Sequence, residues 1–153
     1  MTTITGAWSE TRLEEFLEES RIPVRIATQR GNGSLWMVAL WYRYQNGSFE
    51  CATWANAHIV RFLRSDSEVA FDISTNHPPY RGVRGNGTAT MSSDEAKSTL
   101  RALIERYLGD TESALAEWLL SDAREEIRIR IRPSEMYSWD YTDRMRGVEN
   151  PHP

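Results

Sequence analysis

The chain has 153 residues, 40% of them hydrophobic and 26% charged, with a formal net charge of −4. That length suits one domain with its own core, and the acidic balance excludes a general nucleic-acid binder, which needs a basic excess. No apolar run approaches a membrane span, and residues 1–20 lack the basic start and apolar core of a secretion signal.

Ser9 is placed to cap a first helix reaching about Ser20, with Leu13, Phe16 and Leu17 on one face and glutamates on the other. Pro23 ends it. Val24–Arg30 reads as a strand closed by the turn Gly31-Asn32-Gly33. Leu35–Tyr44 alternates most clearly, with Trp36, Val38, Leu40, Tyr42 and Tyr44 along one face. Asn46-Gly47 then predicts a hairpin back along Ser48–Trp54. Asn56 is the expected cap of a short helix to about Ser65, which buries Ile59, Val60, Phe62 and Leu63.

Glu68–Thr75 is the next strand, and the loop after it leads into Pro78–Met91, the stretch around which the chain is organised. Two successive prolines forbid helix there. From Val83 the residues alternate: Val83, Gly85, Gly87, Ala89 and Met91 on one face, Arg84, Asn86, Thr88 and Thr90 on the other. The small face lets another strand or a flat ligand approach the backbone closely. The polar face suits an anionic or carbonyl-rich ligand, with Arg81 as a second positive charge beside it. A barrel strand with a polar outer face is the simpler reading of this stretch taken alone.

Ser92 and Glu95 predict a capping box for a helix to Leu108, stopped by Gly109. Asp110 or Thr111 opens one more helix to about Leu120. Glu126–Arg132 alternates isoleucines inward with Arg128, Arg130 and Arg132 outward, and Glu135–Tyr141 continues as a last strand after Pro133. The tail Thr142–Pro153 is polar. About six turn-linked antiparallel strands with short helices around them favour closure into a barrel.

Candidate chemistry is sparse. Cys51 is the only cysteine, which forbids an intramolecular disulfide and fits a reducing cytoplasm. His58, His77 and His152 are too scattered to form a metal cluster with it. Ser, His and Asp occur without a nucleophile elbow, so no residue is assigned a chemical step. The row Arg128, Arg130, Arg132 reads as a solvated or salt-bridged strand face. Lys97 is the only lysine, so a phosphate contact here must come from arginine, hydroxyl or backbone groups. Six tryptophans and six tyrosines mostly fill a small barrel core, although Trp41 and Trp54 lie where they can stack on a ligand.

Four local sequences carry a resemblance. They are Arg25-Ile26-Ala27-Thr28 followed by a glycine turn and Val38–Tyr42; Ala52-Thr53-Trp54 running into Val60–Val69; Pro78–Ala89 with Gly87-Thr88-Ala89; and Ser138-Trp139-Asp140-Tyr141. In this order and spacing the chain, over roughly Ile22–Tyr141, resembles the pyridoxamine 5′-phosphate oxidase-like family of flavin-binding split β-barrels. The resemblance implies a mainly β, six-stranded antiparallel split barrel. It implies a homodimer holding FMN, or a deazaflavin coenzyme, between two subunits, and a flavin-dependent oxidoreductase acting on a small molecule. It would set Arg25, Ile26, Ala27 and Thr28 along the flavin, and Thr53, Trp54, Ala55 and His58 near its phosphate. Arg61, Arg81 and Arg84 would be the counter-charges and Trp139 would close the cleft. One departure stands out: where such proteins often carry Ser or Arg followed by Lys for the phosphate, this chain reads His58-Ile59. That keeps open a deazaflavin-dependent reductase, and a flavin- or haem-type ligand carrier that does no chemistry.

Overall fold

The computed structural model describes residues 1–148. The expected polar tail therefore lies partly outside the described residues, as does His152. Eight strands and four α-helices follow in the order β1 (Thr3–Gly6), α1 (Glu10–Glu19), β2 (Val24–Gln29), β3 (Leu35–Leu40), β4 (Arg43–Gln45), β5 (Ser48–Trp54), α2 (His58–Ser65), β6 (Glu68–Ser74), β7 (Arg81–Ser93), α3 (Ser98–Leu108), α4 (Ala114–Leu119) and β8 (Glu126–Asp140). All strands belong to one sheet in the order β3-β2-β6-β7-β8-β5-β4, with β1 added beside β8. The two ends of that path, β3 and β4, are not hydrogen-bonded to each other. The sheet curls into a barrel that stays split.

Three features differ from the sequence expectation. The stretch Leu35–Tyr44 is two strands rather than one, because the chain leaves the ladder at Trp41 and Tyr42 and pairs first with β2 and then with β5. The segment Thr3–Gly6 is a strand, and it is parallel to β8 with Thr5 opposite Tyr137; four residues of mixed polarity carry no periodic signal. Pro133 does not break β8, which runs through it with only an irregularity opposite Asn86 and Gly87. There a Cβ on Gly85 would stand 2.1 Å from the Glu135 carbonyl oxygen and 2.7 Å from Phe71 Cζ. A neighbouring strand and a core ring thus occupy the small face of β7, and no side chain fits there.

The helix ends also depart in part. Ser9 caps α1 as expected, its Oγ accepting from Arg12 N at 3.2 Å. The residue before α2 is Ala57 rather than Asn56, and no side chain caps that helix. Ser92 and Ser93 stay in β7 instead of opening a helix. Ala96 and Lys97 then take left-handed backbone angles, and the Asp94 carboxylate caps α3 by accepting from Thr99 N and Leu100 N at 3.0 Å each. Ser113, not Asp110 or Thr111, caps α4, because the Asp110 carboxylate is spent on a local turn with Glu112 N. Gly109 stops α3 at φ 88°, as its position predicts.

The barrel interior is filled by the inward residues of each strand together with α1 and α2. Ile26, Phe49, Cys51, Phe71, Ile73, Val83, Ile129, Ile131 and Met136 are all buried with Leu13 and Leu17. Each large apolar side chain so buried contributes about 1.5–3 kcal/mol. A smaller core of Leu100, Ile104 and Ala116 joins α3 and α4 to β5. The C-terminal end of α1 is held from a distance: Arg106 of α3 donates to the carbonyls of Leu17, Glu18 and Ser20, and Tyr42 Oη donates to Leu17 O at 2.8 Å. No helix among the described residues is long and apolar enough to cross a membrane.

Candidate functional site

Strand alternation and register build a grid on the outer face of the sheet. Arg25 on β2 pairs with Asp72 on β6, Asp72 with Arg84 on β7, and Arg84 with Tyr137 on β8. The next outward row is Ala27, Ala70, Asn86 and Glu135, with Met37 of β3 beside Ala27. These two rows line a cleft of about 550 Å³. Its floor is nearly flat because Ala27 and Ala70 project only methyl groups.

The electrostatics follow from the first row. Arg25 Nη1 lies 3.8 Å from Asp72 Oδ2, and Ser74 Oγ donates to the same carboxylate oxygen at 2.7 Å. Arg25 Nη2 also donates to Asn76 Oδ1 at 3.4 Å. The Arg84 guanidinium lies 4.8 Å over the Tyr137 ring and 5.6 Å over the Trp139 ring. Arg25 and Arg84 flank the Asp72 carboxylate, and Glu135 adds a second carboxylate in the next row, so this charge-balanced, flat-floored cleft suits a planar ligand rich in carbonyl oxygens and N–H groups.

A second hollow of about 330 Å³ opens on the other face of β3. Trp36, Val38 and Leu40 form one wall, and Thr53, Trp54 and His58 stand on the other with the start of α2. No side chain caps α2 at Ala57, and with Val60 N–H donating to the Ala57 carbonyl at 3.1 Å, the N–H groups of His58 and Ile59 are those left to meet an anion. His58 Nδ1 lies 3.0 Å from Arg61 Nη2. A guanidinium only donates, so Nδ1 is the acceptor and the ring proton sits on Nε2. Met37 belongs to the first cleft, while Trp36 and Val38 belong to the second. The free edge of β3 therefore runs between the two.

The remaining anticipated residues divide as follows. Arg25, Ala27 and Arg84 meet in the outer cleft, with Trp139 beneath Arg84. Ile26 and Thr28 turn their side chains into the barrel and are buried. Thr53, Trp54, His58 and, through His58, Arg61 gather at the second hollow. Ala55 donates its N–H to Glu125 O at 2.8 Å. Arg81 stands apart in the loop cleft formed by Thr75–Pro79, opposite Asp140. Trp41 stacks on Tyr107 at 5.1 Å and 8°, beside the smaller core. Asn86 falls in the same cleft, as the polar face of its strand suggested, whereas Asp72, Met37 and Tyr137 were not singled out from the sequence. The alternation of Val69, Phe71 and Ile73 does place Asp72 outward, but only the register reveals that it faces two arginines.

Comparison with solved structures gives the fold. A conserved hypothetical protein of Mycobacterium tuberculosis, Rv2991, superposes with a TM-score of 0.76 at 22% identity, covering 94% of this chain and 91% of that one. An F420 reductase superposes at 0.66 with 20% identity, covering 80% of this chain and 94% of its own. A protein of Listeria innocua described as a putative pyridoxamine 5′-phosphate oxidase gives 0.64 at 13% identity, covering 84% and 96%. The chain has the split-barrel fold of the pyridoxamine 5′-phosphate oxidase-like proteins. No protein-family model matches the sequence of this split barrel, and no curated protein matches it. The likeness thus lives in the fold.

Proposed function

We propose that this split barrel binds FMN between two copies of itself and acts as a flavin-dependent oxidoreductase on a small molecule. The observation that carries the reading is the free edge of β3, which has a flat cleft holding Arg25 and Arg84 on one face and a helix N-terminus on the other. The residues fit the group: Arg25 and Arg84 suit the carbonyl-rich ring, and the start of α2 with the Nε2–H of His58 suits the phosphate. Arg61 holds that histidine in its donor tautomer, which supports a phosphate site built without lysine. Leu35 and Met37, 73% and 61% exposed on the outer face of β3, are apolar surface that a second copy would cover. When bound, the flavin supplies hydride chemistry, while the chain's own residues bind, orient and exclude water. The lone buried Cys51 is in keeping with a cytoplasmic setting.

A second reading, a deazaflavin coenzyme in the same cleft, is favoured by the likeness to the F420 reductase and by the absence of a phosphate lysine. One titration separates them. The visible spectrum of the purified protein is recorded before and after FMN, then after the deazaflavin, with excess removed each time. Flavin bands that stay with the protein and bleach with a reductant support the first reading. Retention of the deazaflavin alone supports the second. Retention of a ligand that no donor reduces would leave a carrier and end the oxidoreductase assignment; retention of neither would end the reading altogether.

A further inference from the structure

The row of arginines on β8 forms more than a solvated face. Register sets Arg132, Arg130 and Arg128 opposite Thr88, Thr90 and Ser92 of β7, so each guanidinium has a hydroxyl as its cross-strand neighbour. On the other side Arg130 pairs with Glu50 of β5, and Glu50 pairs with Arg43 of β4. Glu50 is only 3% exposed, and it holds both neighbours: Arg43 Nε at 2.9 Å from Oε1 and Arg130 Nη2 at 2.9 Å from Oε2. Burial pushes this carboxyl up, but the two guanidiniums outweigh it and hold it below the ordinary glutamate value. A buried anion thus anchors Arg130 from below and leaves its other N–H groups facing out. Arg132 has no charged or hydrogen-bonding partner among the described residues.

Between them lies a hollow of about 380 Å³ lined by Thr88, Thr90, Arg130, Arg132 and Ser134 with Met1 and Pro133. No carboxylate lines it among the described residues. Guanidiniums two residues apart on a strand are separated by about 6.8 Å at their origins, within reach of one tetrahedral anion between them. The chain as a whole is acidic, yet Arg43, Arg128, Arg130 and Arg132 share this part of the sheet, where Glu50 pairs with Arg43 and Arg130 alone. We infer that the Arg130–Arg132 hollow is a phosphate-class anion site, separate from the cleft at Arg25 and Arg84. Arg132 and Arg130 give the charge, Thr88 and Thr90 the hydroxyl donors, and Glu50 positions Arg130. The volume admits a phosphate group together with a small organic part, so the ligand is a phosphomonoester or free phosphate.

This site does not rest on the flavin reading and is tested apart from it. The protein, with whatever coenzyme it carries, is titrated by calorimetry with inorganic phosphate and with phenyl phosphate, ionic strength being held with sodium chloride. Saturable binding that Arg132→Gln weakens at least about tenfold, the scale of one lost charge-assisted contact, is the expected result. Thr90→Val, which leaves every charge in place, weakens it by a smaller factor. Tighter binding of phenyl phosphate identifies an ester as the ligand, and equal binding identifies free phosphate. Either way the retention of FMN by Arg132→Gln matches the parent. Heat that Arg132→Gln does not reduce, or that sodium chloride reproduces, overturns the site.

Discussion

Arg25 and Asp72 face each other across β2 and β6 with 3.8 Å between Nη1 and Oδ2, and the same carboxylate faces Arg84 on its other side. The Arg25–Asp72 side chains are 37% and 34% exposed, so the pair adds little to stability. On the proposed flavin reading, its weight falls on the ligand. Arg25→Gln is expected to lower FMN affinity about tenfold while the denaturation midpoint stays nearly unchanged. Asp72→Asn removes one of the two carboxylates of the cleft, and affinity for the anionic coenzyme is then expected to rise severalfold. Equilibrium dialysis beside urea melts separates the two effects; a fall in stability without loss of affinity would refute this division of labour.

The free edge of β3 makes a second expectation. Met37→Glu introduces a charge on an exposed apolar side chain and leaves the barrel core untouched. Sedimentation should show dimers of the parent converted to monomers, with FMN retention lost in parallel. A dimer that survives would point to a different contact surface.

Glu50 ties folding to acid. Its folded pKa is depressed, so the stability it contributes is complete above the ordinary glutamate value of 4.5 and is lost as pH falls through the lower folded value. Glu50→Gln should cost about 1–3 kcal/mol at neutral pH, because Arg43 and Arg130 lose their buried partner. That difference should shrink steadily in urea melts taken below pH 4.5. A difference that is constant with pH would mean that packing, not charge, is what the substitution removes.

Gly85 is a steric requirement. An added methyl meets the Glu135 carbonyl at 2.1 Å, which is backbone and cannot swing aside. Gly85→Ala is expected to cost about 2–3 kcal/mol by forcing β7 and β8 apart, read as a lower urea midpoint. A substitution at Gly31, which has nothing within 4 Å, serves as the control.

Cys51 is closed to reagents. Burial pushes its thiol up to about 12, with the charge of Glu50 adding to the effect. Ellman's reagent at pH 8 should label it only as fast as the protein unfolds, and at once in denaturant. Fast labelling of the folded protein would show that the barrel opens locally at β5.

The sequence was most legible where burial imposes a period. The inward isoleucines of β8, the apolar face of α2 and the alternation of β7 all follow from residue spacing, and they place the core correctly. Arg84 was likewise readable on the polar face of its strand, whereas Arg25 and Ala27 entered only with Ile26 and Thr28, through the resemblance. What spacing cannot hold is register: nothing local tells Asp72 that it faces Arg84, or Glu50 that it faces Arg130. The cap of α3 shows a different limit. Ser92 and Glu95 have the right local chemistry, but pairing of Ser92 and Ser93 with β8 wins over it, and the helix waits for Asp94. Short β1 failed for want of length, since four residues carry no pattern until β8 supplies a partner.

The docking of the first twenty residues has a consequence for biosynthesis. β1 finds its ladder on residues 135–138, and the end of α1 is clasped by Arg106. A ribosome makes those partners well after β1 and α1 themselves. That segment must therefore wait, unpaired, until β8 has emerged, so a nascent chain stalled before residue 135 should leave it open to proteases or chaperones.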